Sequence, residues 1–142
     1  MSTKINTMEL TITRTIPASP AEVYAAWMDP KNPGSVWHGV GELIIEHKVD
    51  GLFYMVHGKR SGPEYYPHYG RFVALEPGHK VQHTWMSPFT RGLESMVTVS
   101  FEPKGADTLV KLHHANLPDD DGGRGHQGGW NHFLDSFYKK PH

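Results

Sequence analysis

The sequence predicts an α+β domain in which one antiparallel sheet curls around a helix near the C-terminus. Three observations predict it. Trp130, Phe133, Leu134, Phe137 and Tyr138 fall at i, i+3, i+4, i+7 and i+8, the apolar stripe of an amphipathic helix. Nearly everything upstream consists of short alternating runs broken by Gly- and Pro-containing turns, the mark of strands joined by hairpins. A sheet with one apolar face needs a cover, and the terminal helix is the only long candidate for that role. Any pocket is expected between the two, where projecting the stripe back one turn adds His126 and puts Gly129 at its edge.

Taken in order, Met8 to Ile16 alternates apolar and polar residues, a half-buried strand with Leu10, Ile12 and Ile16 inward. Pro17 ends it. Ser19 then caps a helix with Pro20 in its first turn and Glu22 completing a capping box, and Val23 and Trp27 share one face. Asp29-Pro30 stops that helix, since the residue before proline avoids helical geometry. Lys31 to Val36 is a connection with room for a short helical turn. Strand signals follow over 41–48, 51–57, 65–75, 81–86, 93–101 and 108–114. Lys48-Val49-Asp50-Gly51, Glu76-Pro77-Gly78-His79 and Pro103 to Asp107 supply turn residues between them. Leu117-Pro118 ends the sheet, and Asp119, Asp120 and Asp121 place negative charge where the dipole of the last helix favours it.

The 142 residues are expected to form one domain, 1–142, with no repeat or linker dividing them. Fourteen basic and fifteen acidic residues are well mixed, which leaves no basic patch for nucleic acid or anionic lipid. The absence of cysteine excludes disulfides and thiolate metal sites. No apolar run approaches the length of a membrane span, and Met1 to Met8 lacks the apolar region of a signal peptide. A soluble, cytoplasmic protein is expected.

Strand alternation assigns an inner face to the sheet. Phe53, Met55 and His57 form one set, opposed by Leu52, Tyr54 and Val56. The other inner sets are Val81, His83 and Trp85; Val97, Val99 and Phe101; and Val110, Leu112 and His114. Several imidazoles therefore join an apolar interior, where each needs a partner, and a polar-dotted apolar cavity is the usual form of a small-molecule site. The Leu52, Tyr54, Val56 set is also apolar, so it is either a dimer surface or the true inner face of that strand.

Metal binding and catalysis find little support. His113 and His114 are adjacent on a strand and point to opposite faces, and His126 and His132 lie on different faces of the helix. No metal and no cofactor are expected. There is no Gly-x-Ser-x-Gly elbow and no cysteine nucleophile, so no catalytic residue is assigned, although imidazole titrates in the range that acid–base chemistry needs. Trp27, Trp85 and Trp130 read as large core residues. Trp37, in a loop beside Gly39 and Gly41, reads as a residue of the cavity mouth, with Tyr65, Tyr66 and Tyr69 as rim candidates. Gly70 and Gly129 read as points of close backbone approach.

One succession of residues is familiar. Thr13-Arg14-Thr15-Ile16 leads into Ala18-Ser19-Pro20-Ala21-Glu22-Val23-Tyr24-Ala25-Ala26-Trp27, and Trp37 and Asp50-Gly51-Leu52-Phe53 follow. Then come Gly70 to Pro77, Thr84-Trp85, Val97 to Phe101, Thr108 to His114 and Gly129-Trp130. Together they resemble the START-like (SRPBCC, Bet v 1-like) superfamily, in its branch similar to the activator of Hsp90 ATPase, over nearly the whole chain. Members often carry Gly-Gly where this chain has Asp50-Gly51, and glycine where it has Asn116. The resemblance implies a helix-grip fold, with a curved antiparallel sheet around a long C-terminal helix and two short helices after the first strand. It also implies a cavity that in relatives holds hydrophobic ligands. The expected binding set is Trp37, Phe53, Met55, His57, Tyr69, His83, Trp85, His114, His126 and Trp130, around a small hydrophobic or aromatic ligand. Two alternatives stand beside that reading. One is a cyclase- or hydrolase-type enzyme using His57 or His114 in the same cavity. The other is a chaperone-related interaction module working through the outer face of the sheet. A homodimer is compatible with all three.

Overall fold

The chain alternates short turns with long strands. The computed structural model describes residues 6–37, 40–58 and 61–137. Strand β1 (Thr7–Ile16) is followed by helix α1 (Pro20–Met28). Strands β2 (Glu42–Ile45), β3 (Leu52–Gly58), β4 (Tyr65–Glu76), β5 (Lys80–Trp85), β6 (Ser95–Lys104) and β7 (Asp107–Pro118) come next. Helices α2 (Asp121–Arg124) and α3 (His126–Asp135) close the chain. Among the described residues the seven strands form one curved antiparallel sheet in the order β1-β7-β6-β5-β4-β3-β2. Each neighbour from β2 to β7 is reached by a hairpin. Only β1 joins from the far end, pairing Leu10 with His114 and Ile16 with Thr108.

The helix start reads as its residues suggest. Ser19 is the N-cap of α1; its hydroxyl oxygen accepts from the Glu22 N–H at 3.3 Å and its O–H donates to the Glu22 carboxylate at 3.0 Å. Among the described residues a second short helix does not follow. Residues 30–37 form turns closed by Asn32 N–H to Asp29 O and Ser35 N–H to Asn32 O, because Pro30, Pro33 and Gly34 deny the segment a helical ladder. The terminal helix is also shorter than its stripe. Asp120 caps α2 by accepting from the Gly123 N–H at 2.8 Å, Gly125 separates α2 from α3, and Ser136 is the C-cap. Phe137 is buried just beyond the helix, and Tyr138 lies outside the described residues.

Among the described residues three that are not glycine adopt the left-handed region: Asp50, Arg91 at φ 53°, and Asn116 within β7. Asp50 has φ 67° and Asn116 φ 61°. Aspartate and asparagine are among the side chains that tolerate this region. Gly70 in β4 is required for another reason: a Cβ there would lie 1.8 Å from the Thr84 carbonyl oxygen, so β4 runs against the β5 backbone. Its expected role as a close-approach residue matches that contact.

The core fills the space between the concave face of the sheet and the helices. Val81, Val97, Val99, Val110 and Leu112 are fully buried and Phe101 nearly so, as alternation predicts. Phe53 and Met55 are inward and Leu52 outward, which settles the orientation of β3. Against them pack Trp27 from α1, Trp37 from the turn region, and Trp130, Phe133 and Leu134 from α3. Trp37 donates its indole N–H to the Trp27 carbonyl at 2.8 Å. On the other side of α3, Arg14 of β1 donates to Asn131 at 2.6 Å and to Asp135 at 3.1 Å, so the helix is tied to the edge strand at its distal end.

Candidate functional site

The near end of α3 does not close on the sheet. Between it, α2 and strands β3 to β5 lies a cleft of about 510 Å³, within the usual range for small-molecule sites. Cross-strand register builds its sheet wall: Met55 pairs with His68 and His57 with Tyr66. Trp85 at the end of β5 forms the inner wall. The helix contributes His126, Gly129, Trp130 and Phe133, at i, i+3, i+4 and i+7. His57 and His132 are solvent-exposed at the mouth. Phe89, in the β5–β6 loop, reaches Tyr66 with ring centroids 4.8 Å apart. A local turn holds it there, with Phe89 N–H donating to the Ser87 hydroxyl at 3.0 Å.

Four imidazoles of this end of the fold are buried, and each is held neutral. His68 is pushed down to about 4 by desolvation, although its bond to the Tyr66 carbonyl at 2.8 Å opposes the shift. Desolvation also pushes His83 down to about 4; its Nδ1 donates to the Thr84 carbonyl at 2.8 Å. Burial, with His126 nearby, lowers His114 well below the ordinary histidine value. His126 is lowered by burial, against the pull of the Gly122 and Gly123 carbonyls that its Nδ1 faces at 2.9 and 3.2 Å.

The partners of His114 fix its tautomer. Trp130 Nε1, which can only donate, donates to His114 Nδ1 at 2.9 Å. The proton of His114 therefore sits on Nε2, which donates to Ser95 Oγ at 2.8 Å, and Ser95 donates onward to the Trp85 carbonyl at 2.6 Å. This chain ties α3 to β7, β6 and β5 in turn. Both nitrogens of His114 are committed and its ring is fully buried behind the cleft, which leaves it no free position for acid–base chemistry.

Among the described residues three buried side-chain polar atoms have no hydrogen-bond partner: His83 Nε2, Trp85 Nε1 and His126 Nε2. Two of the three belong to residues that line the cleft. Unpaired buried polar groups cost about 1–3 kcal/mol each and call for an explanation.

The residues expected from sequence divide evenly. Met55, His57, Trp85, His126 and Trp130 line the cleft. Phe53, His83 and His114 stand behind it in the core; His83 lies between Phe53, at 4.5 Å between ring centroids, and Phe72. Trp37 is not at the mouth but buried against Trp27 and Phe133, drawn in by its indole bond. Tyr69 is 48% exposed on the outer side of β4, because the inward positions of that strand are Tyr66, His68 and Phe72. His68 and Phe89 were not anticipated. Counting back in twos from buried Phe72 reaches His68, and the Ser87–Thr90 turn is a readable signal for Phe89. Gly129 does not mark a close backbone approach: a Cβ there would meet nothing within 4 Å. Among the described residues no group of three or more His, Cys, Asp or Glu could hold a metal ion. No described helix is long and apolar enough to cross a membrane.

Comparison with known proteins agrees with this architecture. A family model described as activator of Hsp90 ATPase homolog 1-like protein matches residues 17–139. An uncharacterized protein of Schizosaccharomyces pombe is 24% identical over 119 residues, covering 83% of this chain and 32% of that protein. The chain thus spans about a third of the length of that curated relative. Among solved structures, a protein from Chromobacterium violaceum superposes with a TM-score of 0.76 at 20% identity, covering 90% of this chain and 92% of the other. An HSP90 activator from Plasmodium falciparum superposes with a TM-score of 0.72 at 25% identity, covering 90% and 91%.

Proposed function

We propose, for a chain that belongs to the activator of Hsp90 ATPase homolog 1-like family, that its work is to bind a small, mostly apolar or aromatic molecule in the cleft beside α3. The observation that carries this reading is the cleft itself: about 510 Å³, walled by Met55, Tyr66, Trp85, Phe89, Trp130 and Phe133. A domain of this size gains stability by filling its interior, so an aromatic-walled opening left beside an otherwise packed core needs an occupant to justify it. The site lies at the grip of helix on sheet, and the neutral imidazoles at its wall can orient a ligand without charging it.

Gly129 offers the test. Its Cβ direction is open, so Gly129→Phe places a ring in the cleft without displacing backbone. Native mass spectrometry of the purified protein is expected to show a co-purified small molecule that the Gly129→Phe variant lacks. Ligand-free spectra for both proteins, together with unchanged affinity for any aromatic probe when the cleft is filled, would remove this reading.

A second reading is docking to a partner ATPase through the outer face of the sheet. Register places Ile44, Tyr54 and Tyr69 in one row across β2, β3 and β4, and Ile44 and Tyr69 are each 48% exposed. The similarity to the Plasmodium HSP90 activator favours it. Stimulation of an Hsp90 ATPase that survives Gly129→Phe but is lost in Ile44→Asp is the expected signature. An ATPase rate unchanged by the protein rules this reading out.

A further inference from the structure

Five of the eight residues from Gly122 to Gly129 are glycine, and the fold does not demand all of them. Gly123 is forced by packing, since a Cβ there would lie 1.7 Å from the Pro118 carbonyl oxygen. Gly128 and Gly129 are under no such pressure. A Cβ at either would meet nothing within 4 Å, and neither has a positive φ. Both lie inside α3, where any residue but proline would make a better helix. One difference separates the pair: Gly129 lines the cleft and Gly128 does not.

Taking the cleft as a ligand site, as proposed above, we infer that Gly129 is the position that sets the size of its ligand. The missing side chain lets a molecule larger than one ring lie along α3, and a larger residue there would restrict the cleft to single-ring molecules. Gly129 stands one turn from His126 and one turn from Phe133, so the three share the helix face that walls the cleft. Helical side chains lean toward the N-terminus, so one at 129 would cover the wall between its two ends. That wall runs for seven residues, about 10 Å of helix. A cavity of roughly 150 Å³ suffices for one benzene ring. The cleft, at about 510 Å³, is more than three times larger. Met55 and Trp85 on the sheet and Trp130 and Phe133 on the helix supply apolar contact, and the bare glycine lets the ligand approach the helix backbone itself.

The experiment is isothermal titration of the whole protein with three probes that share a head group and differ by one ring: benzyl alcohol, 2-naphthalenemethanol and 2-anthracenemethanol. The wild-type protein is expected to bind them about tenfold more tightly with each added ring. Gly129→Leu should weaken the two larger probes about tenfold or more while leaving benzyl alcohol within about twofold, which reverses the order of preference. Gly128→Leu makes the same change one residue earlier, outside the cleft, and should leave all three affinities as they are. Leucine is the stronger helix former at both positions, so thermal melts should show both variants folded. Equal weakening of all three probes by Gly129→Leu, or the same loss of the larger probes in Gly128→Leu, overturns the size assignment and leaves the cleft reading in place. No binding of any probe to the wild-type protein, or binding indifferent to Gly129→Leu, overturns both.

Discussion

Acidification is expected to unfold this protein at a pH well above the range in which its carboxylates titrate. The cause is the set of buried neutral imidazoles. Above about pH 6.5 both the folded and the unfolded chain hold them uncharged, and stability does not depend on them. Below it the unfolded chain takes up protons that the folded chain refuses until the pH nears the depressed values, about 4 for His68 and His83. Stability therefore falls as pH falls from 6.5 to 4, at about 1.4 kcal/mol per pH unit for each such histidine. Those two residues alone remove about 4 kcal/mol by pH 5, from a total that is about 5–15 kcal/mol for a typical domain. His114 and His126 act in the same direction. Chemical denaturation at a series of pH values checks this; the midpoint should drop steeply below pH 6.5. Replacing His83 by Leu, which suits its place against Phe53 and Phe72, should flatten the slope by one proton. A midpoint constant from neutral pH to pH 5 would contradict it.

The second large effect is expected at Gly70. An alanine Cβ there would sit 1.8 Å from the Thr84 carbonyl oxygen and 3.1 Å from its hydroxyl, and the backbone oxygen has nowhere to go. Relief requires β4 to part from β5 where Arg71 N–H donates to Thr84 Oγ1 at 2.8 Å. Gly70→Ala should cost on the order of 4 kcal/mol or prevent folding, the range reserved for backbone collisions. Gly129→Ala supplies the contrast. It adds the same methyl group to an open helical position and should stabilise by about 1 kcal/mol, the usual helix-propensity difference. Thermal melts of the two variants side by side decide whether these glycines answer different demands.

Much of the fold was legible because its signals are local. The Ser19–Glu22 cap, the Asp50 turn and the alternation in β6 and β7 each depend on residues within a few positions of one another. The second short helix failed for an equally local reason, the prolines and glycine of residues 30–34. The site was less legible. Alternation tells which way a side chain points, not how deep it ends up. His83 and His114 do point inward, yet they lie behind the cleft because Phe53, Trp85 and Trp130 cover them. Trp37 was misjudged because its burial depends on a bond to the Trp27 carbonyl, ten residues away, that no periodicity reveals. His68 was missed where Pro67 obscured the strand's phase. Gly129 looked like a contact and proved to be an opening, a distinction that only neighbours in space can make.

The packing around α3 has an optical consequence. All four tryptophans of the chain are buried and joined in one network. Trp130 lies 6.0 Å from Trp27, 6.4 Å from Trp37 and 4.9 Å from Trp85 between ring centroids, and Trp27 and Trp37 are 5.2 Å apart. At such separations the indole transitions couple, and excitation absorbed by any of them is shared among all. Two of the four, Trp85 and Trp130, form a wall of the cleft. The protein's near-ultraviolet circular dichroism and intrinsic emission therefore form one collective signal, and a molecule entering the cleft perturbs the whole of it without any added label.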